Sequence, residues 1–218
     1  ASADLVFRDM EVANISAIGR LPKAGPFVYE GNIAAIGATL KFGGDIAPSD
    51  RGGIRATNYI AMAEQPLDLT TIQKLIPELD GVEIRTKAKV SGGYFFEGGK
   101  SGGAVHLVLS EGAVDWPEKR FYASDIRLSF SLPKLPELTS DSQMLRFKNL
   151  KYRRAEVESG RLVFRMHSPT VWFLDNLNLD WCGGKVRGES TRLSPENRRT
   201  RITLHADRIN VSKLLHQI

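Results

Sequence analysis

The fold is written most plainly in Ile126-Arg127-Leu128-Ser129-Phe130-Ser131-Leu132. Every second side chain is apolar and those between are polar. In an extended chain successive side chains point to opposite faces, so this run predicts a strand with one greasy and one wet face. The same alternation recurs along the chain. Val82 and Ile84 flank Glu83, and Ala88 and Val90 follow Lys87 and Lys89. Val105, Leu107 and Leu109 form another run, as do Leu162, Phe164 and Met166 around Val163 and Arg165. Leu177, Leu179 and Trp181 alternate with Asn178 and Asp180, and Ile202 and Leu204 with Thr203 and His205. Gly52-Gly53, Gly92-Gly93, Gly98-Gly99, Gly102-Gly103 and Ser159-Gly160 punctuate these runs as turns. Phe27-Val28-Tyr29, Tyr94-Phe95-Phe96 and Val171-Trp172-Phe173-Leu174 are apolar on both faces. They predict either a doubly covered sheet or a face that meets something apolar other than protein.

Helical signals are few, and they come as a repeat. Leu67-Asp68-Leu69-Thr70-Thr71-Ile72-Gln73-Lys74-Leu75-Ile76 matches Ile209-Asn210-Val211-Ser212-Lys213-Leu214-Leu215-His216-Gln217-Ile218 in chemistry at most positions. Upstream of each copy stands a strand-like run, Tyr59 to Ala63 and Arg201 to His205, and further back a glycine pair, Gly43-Gly44 and Gly183-Gly184. Repetition points to an architecture of stacked units that binds along its length. Asp68 and Asn210 are good N-caps. The apolar stripes behind them predict two-turn helices at 68–76, stopped by Pro77, and at 211–218. Helices this short require tertiary support, so each is expected to cap the sheet with its apolar stripe.

With 218 residues the chain can build one large all-β domain or two small ones. The expected organisation is a first β-repeat unit over 1–132, a linker over 133–142 rich in proline and polar residues, and a second unit over 143–218. Hydrophobic content of 42% and charged content of 25% are those of a folded protein. The single cysteine, Cys182, excludes an intramolecular disulfide framework and reads as a buried thiol. No apolar run is long enough to cross a membrane as a helix, and no secretory signal is visible. The stop at Ile218, at the end of the repeated unit, is expected of a piece of a longer protein.

Chemistry is sparse. Gly93-Tyr94-Phe95-Phe96-Glu97-Gly98-Gly99-Lys100-Ser101 resembles a phosphate-binding loop, but its spacing is one residue short and a strand follows where a helix is needed. It reads as a hairpin tip. His106, His167 and His205 occupy wet strand positions, and no histidine pair has metal-ligand spacing. Asp175 and Asp180, five apart on one strand, are expected on opposite faces unless a bulge intervenes. No Gly-x-Ser-x-Gly elbow occurs. The expectation is no enzyme, no metal and no cofactor. A net charge of +5 favours anionic surfaces mildly. Arg146, Lys148, Lys151, Arg153 and Arg154 form one basic cluster, and Arg198, Arg199 and Arg201 another. Phe147 and Tyr152 interleave with the first, as nucleic-acid binding would need, but its alternation reads better as a strand with a wet face that could meet anionic lipid headgroups. Nucleic acid is not expected.

Several stretches carry a family resemblance. Ile202-Thr203-Leu204-His205-Ala206-Asp207-Arg208-Ile209-Asn210-Val211-Ser212-Lys213-Leu214-Leu215 resembles the strand-plus-short-helix signature of AsmA-like proteins, in particular the YdbH family. Leu109-Ser110-Glu111-Gly112-Ala113-Val114 with Tyr122 to Leu128, and Glu158 to Phe164 with Trp181 to Val186, are similar. The resemblance spans roughly residues 60 to 218. It implies a periplasmic bridge anchored in the inner membrane of a Gram-negative cell, carrying phospholipid toward the outer membrane. It also implies a small outer-membrane lipoprotein partner that adds a strand at an open edge.

The combined expectation is a mainly β fold: an elongated, curved antiparallel sheet of repeated strand units, capped by short helices. Ile126, Leu128, Phe130, Leu162, Phe164, Met166, Leu177, Leu179, Ile202 and Leu204 are the candidate lipid-groove residues. The same stripe could equally be an ordinary sandwich core. The competing function is a structural or adhesive β-rich module that binds protein or glycan.

Overall fold

The alternating runs form strands, except that Ile202 and Thr203 stay outside β-structure just before the last one, and from the first strand to the twelfth each strand pairs with the one before it. The structure, a computed structural model, describes residues 2–7, 10–35, 37–50, 52–68, 79, 81–193 and 200–217, with 2–7, 10–13 and 68 as backbone. The strands are β1 (Ser2–Phe7), β2 (Met10–Arg20), β3 (Phe27–Ala35), β4 (Ala38–Pro48), β5 (Ile54–Asp68), β6 (Glu83–Glu97) and β7 (Lys100–Trp116). They continue as β8 (Phe121–Leu135), β9 (Gln143–Tyr152), β10 (Ala155–Ser168), β11 (Val171–Trp181), β12 (Gly184–Gly188), β13 (Thr191–Leu193) and β14 (Leu204–Asp207). All lie in one antiparallel meander, in sequence order from β1 to β12 and then β14. β13 continues the line of β12 and also pairs with β11. Strand accounts for 74% of the described residues, and the sheet is curved and not closed.

Register sorts the side chains into two faces. Ile33, Leu40, Ile60, Val90, Leu107, Phe130, Leu145, Leu162 and Leu177 share one face, because directly paired residues of antiparallel strands point the same way. Lys41, Lys89, Ser129, Arg146, Arg161 and Asn178 share the other. The first face is apolar across the sheet, and no second layer of described residues covers it. Consequently few side chains are fully buried. Ala38, Met62 and Ala88 form one small cluster with Leu40, Leu67, Val90, Leu107 and Leu109. The accessible surface is 14685 Å². A compact protein of 24.1 kDa would expose about 10,000 Å².

A line of bulges creases the sheet: at Glu111, opposite the Arg85–Lys87 step of β6, at Asp125 and at Asn149. Glu111, Asp125 and Asn149 have φ of 51°, 47° and 50°. Extra residues of this kind bend a strand and increase its twist. The bulge at Asn149 also puts Leu150, paired with Val157, on the apolar face, out of step with Leu145 and Phe147.

The three doubly apolar stretches are not doubly covered. Their middle members, Val28, Phe95 and Phe173, lie on the polar face. Val28 and Phe95 are exposed there, and Arg165 stacks over the Phe173 ring at 4.7 Å. The phosphate-loop lookalike is the β6–β7 hairpin. Gly98 and Gly99 take φ of 56° and 77° at its tip, the two positive values a tight two-residue turn requires. The stretch 133–142 ends β8 and turns into β9, and hydrogen bonding between these neighbours continues from Phe121–Tyr152 to Ser129–Met144. The buried Gln143 extends it, accepting from Ser131 N–H at 2.8 Å.

The helix expected at 68–76 falls on positions outside the described residues from Leu69 onward, while Leu67 and Asp68 end β5. The two glycine pairs differ in setting: Gly43 and Gly44 lie inside β4, whereas Gly183, with φ of 72°, makes the β11–β12 turn. The second helix is present as α1 (Val211–Gln217). Asn210 caps it, its Oδ1 accepting from Lys213 N–H at 3.1 Å. Its stripe packs only in part: Val211 and Leu215 are 64% and 65% exposed, Leu214 is half-buried, and Ile218 lies outside the described residues. Polar anchors hold it too. Gln217 Oε1 accepts from Trp181 Nε1 at 2.8 Å and from Glu156 N–H at 3.0 Å, and Asn210 N–H donates to the Cys182 carbonyl at 3.0 Å. Cys182 is buried, as expected. Gln217→Ala leaves two donors without their acceptor and should loosen the helix by about 1–3 kcal/mol. Amide exchange over 211–217 should accelerate while exchange in β6 and β7 is unchanged.

Candidate functional site

The apolar face is the feature of this protein with the extent and chemistry of a binding surface. Nine of the ten groove candidates share it: Ile126, Leu128, Phe130, Leu162, Phe164, Met166, Leu177, Leu179 and Leu204. Ile202 sits in the irregular segment before β14. Met166 is buried at 6%, Leu204 is exposed at 54%, and the other seven strand residues are half-buried. Lateral contact between neighbours, with no covering layer among the described residues, produces this intermediate exposure.

Aromatic contacts identify the inner side of the curve. Phe130 stands on β8, Phe164 on β10 and Trp172 on β11. In a flat sheet β8 and β11 lie about 14 Å apart, three strand spacings. The Phe130 and Trp172 rings are nevertheless 6.2 Å apart, and Phe164 is 6.5 Å from Phe130 and 5.8 Å from Trp172. Side-chain tips converge on this face, as they do on the concave side of a curved sheet. Gln143 lies in the same row between Phe130 and Phe164, and its amide is turned to backbone partners. The three-ring cluster is therefore an apolar floor without an unpaired polar group from Gln143.

Trp172 was not among the sequence-derived candidates, nor were Leu40, Phe42, Met62, Val90, Leu107 and Leu109. They extend the apolar face through β4 to β7. Their alternation was visible in part, but only pairing joins them to the face of Leu128 and Leu162.

The first basic cluster divides. Arg146, Lys148 and Lys151 lie on the polar face, and Arg153 and Arg154 form the β9–β10 turn. Arg153 packs 5.5 Å over the Tyr152 ring. Arg198 and Arg199 lie outside the described residues, and Arg201 is exposed in the segment before β14. A bulge between Leu174 and Asn176 turns Asp175 toward Arg165, on the same side as Asp180, so the two carboxylates share a face after all. Each is held by its own cation, Asp175 by Arg165 at 3.1 Å and Asp180 by Lys185 at 2.9 Å. His205 pairs with Glu189 at 2.6 Å, and His106 is bonded to Ser131. Among the described residues no group of three metal-ligating side chains converges, and no helix is long and apolar enough to cross a membrane.

The polar face carries its own electrostatics. Hydrogen bonds from Lys148 first, and then from Arg127, hold the Asp125 carboxyl below the usual carboxylate range. The Ser159 hydroxyl and then Lys185 do the same for Asp180. A carboxyl whose folded value is depressed stabilises the fold above its ordinary value, near pH 4, and that contribution is lost as pH falls through the folded value. The urea midpoint should therefore drop on going from about pH 5 to about pH 3. In the Asp125→Asn/Asp180→Asn double variant the drop should be smaller.

Compared with protein-family models, with curated proteins and with solved structures, the chain matches none.

Proposed function

We propose that this chain is a segment of a periplasmic AsmA-like bridge that shelters phospholipid acyl chains along its apolar, concave face while the headgroups stay in water. One observation carries the reading: a continuous apolar face crosses the sheet from β3 to β12 with no second layer of described residues over it. An uncovered apolar surface of this size marks an interaction site. Acyl chains suit it because they need no directional bonds and gain about 0.8 kcal/mol for each methylene removed from water. A row of similar side chains at strand spacing presents nearly equal environments along the sheet, so a chain can slide without a deep trap. Catalysis plays no part in this mechanism. Inner-membrane anchoring would belong to other parts of the full protein. The sheet ends on β1 and β14 among the described residues, and such edges are where an outer-membrane lipoprotein would add a strand.

The test is native mass spectrometry of the chain purified without detergent. Retained phospholipid is expected, released on collisional activation. A clean apoprotein that also fails to bind a fluorescent phospholipid would remove the proposal and leave the structural or adhesive module as the better reading.

A further inference from the structure

Register places four arginines in one row on the polar face. Arg127 of β8 pairs with Arg146 of β9, and Arg146 pairs with Arg161 of β10. Arg161 pairs with Asn178 of β11, and Asn178 with Arg187 of β12. Like charges directly opposite each other on neighbouring strands oppose folding. This row sets three side by side and a fourth two strands beyond, with Asn178 between. Arg127 is partly neutralised by Asp125 at 2.8 Å. Arg146, Arg161 and Arg187 have no ion pair or hydrogen bond to a side chain among the described residues. Arg165, two residues along from Arg161, shows the contrast: it has both the Asp175 carboxylate and the Phe173 ring.

The row lines a depression of about 510 Å³. Six cations meet two carboxylates in its wall, and both carboxylates, Asp125 and Asp180, are already taken by Lys148, Arg127 and Lys185. The remaining positive charge is carried by guanidinium groups, whose planar donors match phosphate oxygens in pairs. Neighbouring strands space them by about 4.8 Å, so one phosphate cannot satisfy the whole row.

We propose that the row Arg127, Arg146, Arg161 and Arg187 is a binding site for a ligand carrying two or more phosphate groups. It lies on the face opposite the apolar one, so a lipid lying along the apolar trough does not occupy it, and it stands whether or not the lipid reading does. The ligand replaces the missing carboxylates and relieves the repulsion within the row.

Isothermal titration calorimetry of the chain at low salt tests this with sodium tripolyphosphate and orthophosphate. Tripolyphosphate should bind at least about tenfold more tightly, since each added charge-assisted contact is of that order. Arg146→Gln/Arg161→Gln should lose about tenfold or more in affinity and yet melt at a higher temperature, because repulsion has been removed. Lys41→Gln/Lys89→Gln removes the same charge from the same face outside the row and should change affinity less than about twofold. Absence of tripolyphosphate binding, or equal losses in both double variants, overturns the site in favour of general positive charge. Vesicles of phosphatidylcholine with cardiolipin, whose headgroup carries two phosphates, identify the source: capture that depends on the row points to a lipid headgroup, and tripolyphosphate binding without capture to a soluble ligand.

Discussion

Gly44→Ala is expected to destabilise the protein by about 3 kcal/mol, at the upper end of the usual cost of overpacking. A Cβ at this position would lie 2.0 Å from the backbone carbonyl oxygen of Thr57 and 2.8 Å from the Tyr29 hydroxyl. The first clash is with the neighbouring strand itself, so no rotamer change relieves it. Gly44 is also the gap through which Tyr29 reaches across β4 to donate to the Asn58 side chain. Burial first, and then the Asp45 charge, hold the Tyr29 phenol above its ordinary value, so it remains a donor through neutral pH. Filling the gap parts the β4–β5 ladder and breaks this bridge together. Gly93→Ala is the control, because its nearest neighbour would be the Asn58 carbonyl at 3.1 Å. Urea denaturation should show a large fall in midpoint for the first variant and a small one for the second. Equal midpoints would mean that β4 and β5 do not approach as closely as the structure has them.

The second large effect is on the lipid face. Phe164→Glu places a carboxylate at the centre of the Phe130–Phe164–Trp172 cluster, where bound hydrocarbon would have to cover it. Covering an unpaired charge costs several kcal/mol, more than the methylenes in contact with one residue can supply. Phospholipid retained in native mass spectrometry should fall at least about tenfold. Ser129→Glu adds the same charge on the opposite face, one residue from Phe130, and should leave lipid retention unchanged. Both variants should keep the β-rich circular dichroism of the parent. Equal retention in parent and Phe164→Glu would place the lipid elsewhere or show that there is none.

The two faces differ in how far they could be read in advance. Leu128, Leu162 and Leu177 announce themselves as apolar strand positions because side chains alternate with a period of two, and a local pattern reports a local geometry. Asn210 announces a helix for the same reason, since a cap acts within one turn. The lack of a second layer among the described residues has no such local signal. The apolar residues of an open sheet and those of a sandwich alternate alike, and the distinction lies in whether another layer comes to cover them. Bulges are equally silent: nothing local at Glu111, Asp125 or Asn149 announces the left-handed backbone that shifts the register beyond them. The exposed Val211 and Leu215 show the same limit on the helix, where Gln217 found polar partners on remote strands.

The chain taken alone specifies an antiparallel β protein with one greasy and one wet side, because backbone pleating makes side-chain direction a matter of odd and even positions. Pairing across strands then sets which odd positions become neighbours. It gathers Arg127, Arg146, Arg161 and Arg187 into one row and brings Phe130 against Trp172. No stretch of residues encodes these meetings locally, because register and curvature are settled by hydrogen bonds between segments far apart in the chain.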